Sequence, residues 1–191
     1  MKVLGADALI VVDVQCDFCP GGALPVKGGD EIVGVINDLL PKFDHWFYTR
    51  DWHPEGHCSF AEDPEFRDGS WPVHCVRNTP GAAFHPDLHV PEGAVVINKP
   101  SERDTETYNG YQGTDLAERL RRSGVARVFV CGLATDYCVR STALASMDEG
   151  FQTVLLEDAC RAVDVPEGTG AQAVDEMRRA GVRVCRSEEL A

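Results

Sequence analysis

Cys131 and Cys138 lie seven positions apart in the stretch CGLATDYCV, and such thiols can bind a metal ion, form a disulfide or attack a carbonyl carbon. Cys138 falls in the first turn of a helix predicted for residues 136–150, with Thr135 or Asp136 as its cap. Free backbone N–H groups and the helix dipole stabilise a thiolate there, so we expect a lowered thiol pKa. Cys131 lies within an apolar segment and is interpreted as a small buried residue. Cys138 is therefore the candidate nucleophile.

Asp13 and Lys99 each follow an apolar segment of the kind that forms buried strands. Ligands of open α/β sheets bind at the carboxyl ends of the strands, where the segment leading to Cys138 also ends. Burial should raise the pKa of Asp13 toward a range useful for proton transfer, and the Lys99 cation can lower the pKa of both neighbours. Taken singly, Asp13 could cap a helix and Lys99 could end a surface strand. Together the three residues predict an Asp, Lys, Cys catalytic triad.

A second group of residues has the composition of a metal site. In RDWHPEGHCSF, Asp51 and His53 are two positions apart, so in an extended segment they point the same way and can share one ion. His57 follows four residues later, and SWPVHC supplies His74. One carboxylate and two imidazoles suit Zn²⁺, Fe²⁺ or Mn²⁺. Histidines in loops also serve as hydrogen-bonding residues. A purely structural role for these histidines therefore stays open at this point.

Alternating strands and helices must position these residues. Apolar segments typical of strands that are covered on both faces occur at 8–12, 45–49, 94–98, 127–131, 152–156 and 182–185. Helix-like segments lie between them at 30–43, 113–124, 136–150 and 166–181. This alternation predicts an α/β fold with a parallel sheet. We expect one domain over residues 1–191, with a functional, metal-binding loop at about 51–93.

The composition argues against several classes of partner. The 191 residues include 31 Asp and Glu but 18 Lys and Arg, and the formal net charge of −13 would repel nucleic acid and anionic membranes. The first apolar run is too short for a signal peptide, and no segment reaches membrane-spanning length. We therefore expect a cytoplasmic protein with its eight cysteines reduced. Cys16 and Cys19 have C-x-x-C spacing, but no second pair completes a four-cysteine site.

Five segments together resemble the nicotinamidase branch of the isochorismatase-like cysteine hydrolases: VDVQCDF, DWHPEGHCSF, WPVHC, YNGYQGTDL and CGLATDYCV. They occur in the order of that family, from about residue 7 to residue 185. The resemblance implies a three-layer α/β/α fold with a six-stranded, mostly parallel, Rossmann-like sheet. It also implies that a small pyridine carboxamide is the substrate. Nicotinamide would be hydrolysed to nicotinate and ammonia through a cysteine thioester, and pyrazinamide would also be accepted.

The resemblance assigns roles position by position. Cys138 matches the nucleophile of the family, Asp13 the proton carrier and Lys99 the third catalytic residue. One divalent cation is implied, with zinc preferred and iron or manganese as alternatives, and its matching ligands are Asp51, His53 and His74. His57 stays open, because members of the family differ at that ligand.

The resemblance also describes the surroundings of the substrate. The backbone amides of Ala134 and Cys138 would form the oxyanion hole, next to a cis peptide bond between Leu133 and Ala134. Three aromatic residues match those that enclose the pyridine ring, namely Phe18, Trp71 and Tyr108. A flat, apolar slot is what such a ring requires.

This chain departs from the family pattern at two positions. Cys16 stands where the family often has Asn, and Pro100 where Gly commonly follows the catalytic Lys. Neither change removes a reactive group. They leave open the hydrogen bonds behind Asp13 and the shape of the Lys99 loop.

Three other functions stay open. The sequence also leaves open whether the protein forms a homo-oligomer. An amidase of the same superfamily could act on a carbamoyl or ureido substrate, for which a metal on a ring nitrogen has no purpose. A non-haem Fe(II) oxygenase could use Asp51, His53 and His74 as a facial triad, with the thiol idle. A non-catalytic redox or metal-binding module could be built on the cysteines.

Overall fold

Six parallel strands form the central sheet of the computed structural model, which describes residues 1–67, 69–99 and 102–191. The strands are β1 (Asp7–Val12), β2 (His45–Arg50), β3 (Val95–Asn98), β4 (Arg127–Leu133), β5 (Gln152–Arg161) and β6 (Arg183–Cys185). Every pairing between these strands is parallel. All six predicted strands are therefore confirmed.

Four α-helices follow the predicted helical segments: α1 (Ile32–Leu39), α2 (Leu116–Arg122), α3 (Arg140–Asp148) and α4 (Thr169–Ala180). A π-helical turn at Thr135–Val139 leads directly into α3, and short 3₁₀ helices occur at Cys16–Phe18, Gly29–Glu31, Leu40–Lys42, Pro80–Ala82 and Ser187–Glu189. The apolar residues of α1 recur at helical spacing and are buried. Within the described part of the chain, none of the helices combines the length and the apolar character needed to cross a membrane.

The sheet is covered on both of its faces. Consecutive side chains of a strand point to opposite faces, and all six residues of β1 are buried. Both faces of the central strand must therefore be packed against other layers, as the continuously apolar segment 8–12 predicts. The helices flank the sheet, and the expected three-layer α/β/α fold is confirmed.

The strand order brings the candidate residues to one crevice. The order across the sheet is β3-β2-β1-β4-β5-β6, so the chain moves outward from β1 to β3 and then returns to the other side of β1 with β4. Such a reversal opens a crevice beyond the carboxyl ends of the two central strands. Asp13 follows β1 and the turn with Cys138 follows β4. Both residues therefore lie at this reversal.

Strand β5 is longer than the segment 152–156 predicts, because it continues to Arg161. The register shifts within the β4–β5 pair: Val130 pairs with Leu155, but Gly132 pairs with Cys160. This bulge allows polar residues to interrupt an apolar strand without ending it. Glu157, Asp158 and Arg161 thus lie within the strand and not beyond its end.

Gly132 allows β4 to approach β1 closely. Its φ angle is 118°, and a Cβ atom there would lie 2.1 Å from the carbonyl oxygen of Val12. We expect Gly132→Ala to lower the free energy of unfolding by at least about 3 kcal/mol, because the clash is with backbone and the φ angle is unfavourable. Urea denaturation followed by circular dichroism would measure this loss.

Gly34 offers the matched control in an exposed position of α1, where a Cβ atom would have nothing within 4 Å. Gly34→Ala should leave stability unchanged or raise it by up to about 1 kcal/mol, since alanine favours helix. Equal stability of the Gly132→Ala variant and the original protein would contradict the close approach.

Candidate active site

The ammonium group of Lys99 is the centre of the site. The backbone N–H of Lys99 donates to the carbonyl of Arg50, which fixes the residue just beyond β2 and β3. Its buried Nζ donates to Asp13 Oδ2, to Asp51 Oδ1 at 2.8 Å and to Cys138 Sγ at 3.1 Å. An ammonium has three hydrogens, so these acceptors use them all. The ends of four strands therefore converge on one cation.

Opposite charges in this cluster keep each other ionised in spite of burial. Burial alone would lower the pKa of Lys99, but Asp13 and Asp51 raise it well above its usual value. Burial likewise opposes ionisation of Asp51, yet the Lys99 ammonium lowers the pKa of that carboxyl well below its usual range. Lys99 and Asp51 are thus a buried ion pair.

Asp13 is held for proton transfer by its backbone and by one hydroxyl group. Its φ angle of 50° lies in the left-handed region, which is uncommon for residues other than glycine. The backbone N–H of Asp13 donates to the Thr49 carbonyl, and the Thr49 hydroxyl donates to Asp13 Oδ1 at 2.7 Å. Burial raises the pKa of Asp13, although Lys99 opposes the shift. The predicted direction of this shift is confirmed.

The predicted lowering of the Cys138 pKa is wrong. Burial raises the pKa of this thiol well above its usual value; Lys99 lowers it, but the nearby carboxylates of Asp13 and Asp51 raise it further. The turn that carries Cys138 provides backbone N–H groups, but the thiol is buried and lies close to the carboxylates of Asp13 and Asp51. The resting side chain is consequently a neutral thiol, which needs a base before it can attack.

The predicted helix cap is also wrong. Ala134 stands at the N-cap position, and no side chain caps the turn there. The carboxylate of Asp136 instead accepts hydrogen bonds from the backbone N–H groups of Val163 and Asp164 and from the Thr169 hydroxyl, at 2.7 to 3.0 Å. Asp136 therefore anchors the turn to the first residue of α4 and to the segment that precedes this helix. Thr135 is buried in the same turn and likewise makes no cap.

The backbone beside the nucleophile has the arrangement that the family resemblance implies. The peptide bond between Leu133 and Ala134 is cis, which confirms that expectation. Ala134 and Cys138 both line the cavity in front of the thiol. The two residues predicted for the oxyanion hole are thus adjacent to the space that a substrate would occupy.

Asp51, His53 and His74 form a compact set of metal-type ligand atoms. Asp51 Oδ2 lies 3.6 Å from His53 Nε2 and 4.0 Å from His74 Nε2. Burial lowers the pKa of His74 to about 4, so its ring is neutral near pH 7. His74 Nδ1 donates to the Pro72 carbonyl, which leaves a lone pair on Nε2 directed toward the Asp51 carboxylate. Two electron-rich atoms that face each other fit a divalent cation between them.

His57 is close to this set but uses its ring nitrogens elsewhere. Nε2 lies 3.0 Å from the Thr105 carbonyl, which can only accept, so Nε2 carries the proton. Nδ1 then accepts from the Ser59 hydroxyl at 2.7 Å. The ring packs on that of His53, with centroids 4.2 Å apart. In this arrangement neither nitrogen of His57 is available to a cation.

A narrow, mostly apolar cavity opens between the thiol and the metal-type residues. Phe18, Trp71 and Tyr108 all line it, as predicted. Trp71 Nε1 donates to the Tyr108 hydroxyl at 3.0 Å, and the indole meets the Tyr137 ring edge to face with centroids 4.9 Å apart. These contacts hold the aromatic walls of the cavity in place. Five further lining residues are not among the predicted ones, and they are Leu24, Val26, Glu106, Tyr137 and Val163. Tyr137 lies inside the motif CGLATDYCV, but the motif does not show that its ring faces the cavity.

Gln15 supports the site and was also missed. It is fully buried, and its side-chain Oε1 accepts from the Asp51 N–H while Nε2 donates to the carbonyls of Asp51 and Ala82. These bonds fix the Asp51 backbone against the end of β1. The only signal in the sequence is a polar residue two positions after Asp13, within VDVQCDF.

The departure at Cys16 does not alter the bonds of the Asp13 carboxylate. The Cys16 thiol donates to the Phe84 carbonyl at 3.6 Å, while Asp13 keeps its bonds to Thr49 and Lys99. Pro100 lies outside the described residues.

This chain is similar to known proteins over nearly its whole length. A family model described as the isochorismatase domain matches residues 7–189. A nicotinamidase/pyrazinamidase from Mycobacterium tuberculosis is 41% identical, with 94% of this chain and 99% of that protein covered.

Two solved structures have the same fold. A pyrazinamidase of Pyrococcus horikoshii in complex with zinc is 48% identical with a TM-score of 0.85, covering 95% of this chain and 99% of that one. A structure from L. infantum in complex with nicotinate is 38% identical with a TM-score of 0.91, covering 100% and 98%.

Proposed function

Because this chain belongs to the isochorismatase family, we propose that it is an amidohydrolase that converts nicotinamide to nicotinate and ammonia and also accepts pyrazinamide. One observation carries the proposal. The buried ammonium of Lys99 contacts Asp13, Asp51 and Cys138 at once, beside a slot with aromatic walls. A thiol therefore lines an aromatic cavity, and a buried base and a buried ammonium lie next to that thiol.

Asp13 generates the nucleophile. A carboxylate oxygen of Asp13 lies within 4.8 Å of Cys138 Sγ, and burial makes that carboxylate a stronger base than usual. Asp13 takes the thiol proton as the sulfur attacks the carboxamide carbon. Lys99, 3.1 Å from Sγ, stabilises the negative sulfur. The thiolate thus forms during the reaction, which is consistent with the raised pKa of the resting thiol.

The backbone of the nucleophile turn stabilises the intermediate. The N–H groups of Ala134 and Cys138 receive the oxyanion as the carbonyl becomes tetrahedral, an effect usually worth about 3 kcal/mol. Asp13 returns its proton to the nitrogen as the C–N bond breaks, and ammonia leaves. Water, deprotonated by Asp13, then attacks the thioester, which releases nicotinate and restores the Cys138 thiol.

Asp51, His53 and His74 would hold a divalent cation at the far end of the slot. When bound, the cation supplies a Lewis-acid site for the pyridine nitrogen and so orients the ring. The zinc complex of the P. horikoshii relative supports zinc, while Fe²⁺ and Mn²⁺ suit the same ligands. Asp51 also bonds to Lys99, so the residue that holds the cation is tied to the catalytic ammonium.

The rival functions account for less of this geometry. An oxygenase would use Asp51, His53 and His74 but has no role for a thiol bonded to a buried lysine. A carbamoyl or ureido amidase would use the thiol but has no role for metal ligands beside an aromatic slot. A redox module would need reactive thiols at several positions. Burial raises the pKa values of the Cys75 and Cys131 thiols well above the usual value, so these thiols stay protonated and unreactive.

We also propose that the protein works in the cytoplasm. All eight cysteines are free, which suits a reducing compartment. Cys131 and Cys160 are buried, and their thiols donate to the carbonyl groups of Ile10 and Leu156.

Purified protein incubated with nicotinamide should release ammonia and nicotinate in equal amounts. Removal of metal by a chelator should lower the rate by about 100-fold or more, because the ring then loses its anchor, and added zinc should restore it. Ammonia assay and chromatography of nicotinate measure both products. An unchanged rate in protein shown to be free of metal would favour the metal-independent amidase instead.

A further inference from the structure

Glu106 has an unsatisfied carboxylate oxygen in the substrate cavity. It lines this cavity together with Asp51 and His74. Its Oε1 accepts the backbone N–H of Thr107 at 3.2 Å, but its Oε2 is buried and has no hydrogen-bond partner within the described residues. A desolvated carboxylate oxygen without a donor is costly, and such exceptions call for a ligand or another explanation.

The position of Glu106 connects it with the candidate cation. One of its oxygens lies within 4.8 Å of a ring nitrogen of His53 and of a ring nitrogen of His57. His57 already uses both nitrogens on Ser59 and Thr105. His53 belongs to the set with Asp51 and His74, so the Glu106 carboxylate borders the space that this set surrounds.

A nearby cation does not account for the carboxylate. Arg103 lies three residues earlier, but it is exposed and its Nε donates to the Gly56 carbonyl at 3.2 Å. Lys99 uses its three hydrogens on Asp13, Asp51 and Cys138. Neither of these cations is bonded to Glu106 Oε2.

Formal charges give an independent reason for an acid at this position. Asp13 and Asp51 contribute two formal negative charges and Lys99 one positive charge, so these three buried residues together carry one negative charge. A divalent cation would leave one positive charge in excess. The carboxylate of Glu106 would bring the whole set to neutrality, which a buried site favours.

We propose that Glu106 is a further acidic residue of the cation site, and that its Oε2 stabilises the divalent cation held by Asp51, His53 and His74. The proposal rests on the proposed function, since the cation is part of it. Glu106 thus contributes affinity for the metal, and its desolvated oxygen is satisfied when the metal is bound.

Glu106→Gln tests this role in the purified protein, with zinc as the probe and no substrate present. The zinc dissociation constant, measured by competition with a chromogenic chelator, should rise by about 10-fold or more. Glu102→Gln is the matched control, because it removes the same charge from an exposed position of the same segment. We expect that variant to change the constant by less than about 2-fold.

Thermal unfolding separates a metal-binding role from a structural one. Zinc should raise the melting temperature of the Glu106→Gln variant less than that of the original protein. The metal-free variant should melt no lower than the metal-free original, because the amide removes a desolvated charge. An unchanged zinc dissociation constant would overturn the proposal, whatever the stability. Since no nicotinamide is added, failure here is distinct from failure of the proposed amidase activity.

Discussion

Cys138→Ala should lower kcat for nicotinamide by about 10⁴-fold or more, because the variant has no sulfur to form the thioester. The fold should persist, since removal of one buried thiol leaves a small cavity worth about 1 to 2 kcal/mol. Zinc content should also persist, because the sulfur is not among the Asp51, His53 and His74 ligand atoms. Ammonia release, circular dichroism and atomic absorption measure the three quantities.

Cys131→Ala is the matched control for this loss. It makes the same chemical change seven residues earlier, at a fully buried position of β4 whose thiol donates to the Ile10 carbonyl. We expect lower stability but a kcat within about 3-fold of the original protein. If Cys138→Ala retained wild-type turnover, or if Cys131→Ala lost as much, the assignment of the nucleophile would be wrong.

Asp13→Asn should lower kcat by about 10² to 10⁴-fold, because an amide cannot accept the thiol proton. Asparagine keeps the shape of the side chain and an oxygen for the Thr49 hydroxyl and Lys99. It also tolerates the left-handed backbone of this position, so the turn after β1 should stay intact. Alkylation of Cys138 by iodoacetamide should slow as well, since the thiol loses its base.

Asp7→Asn provides the comparison at the other end of β1. Asp7 is buried at the opposite end of β1, where it pairs with Arg127 at 2.5 Å. That variant should lose stability without loss of kcat or of Cys138 reactivity. Equal rates for Asp13→Asn and the original protein would exclude Asp13 as the base.

The positions of the catalytic candidates followed from local patterns. The sequence predicts Asp13, Lys99 and the turn with Cys138 at one edge, because Asp13 and Lys99 follow apolar segments and a third apolar segment leads into that turn. In a parallel sheet those ends share an edge, and the buried Lys99 ammonium shows that they do. The boundaries of the strands are harder to predict from sequence. In β5 a bulge allows polar residues to continue the strand to Arg161, whereas the apolar pattern predicts that the strand ends at residue 156.

The sequence predicts which residue types could bind a metal ion, but it does not predict the hydrogen bonds that surround them. Spacing indicated that Asp51 and His53 can share an ion, and composition added His74. Spacing alone could not tell that His57, in the same loop, would have its nitrogens occupied by Ser59 and Thr105. The Thr105 carbonyl comes from a segment 48 positions away.

Local patterns in the sequence were enough to predict the order of strands and helices and the types of the reactive residues. They were also enough to predict that these residues follow the ends of strands. These features depend on the short-range periodicity of apolar residues. They also depend on a property of parallel sheets, in which the carboxyl ends of all strands lie at the same edge. Only the tertiary structure shows that the Cys138 thiol is neutral at rest, that Asp136 anchors a distant segment, and that Glu106 Oε2 is buried without a hydrogen-bond partner among the described residues. The reason is physical: charge and hydrogen bonding depend on burial and on neighbours far apart in the chain, and the local pattern contains neither.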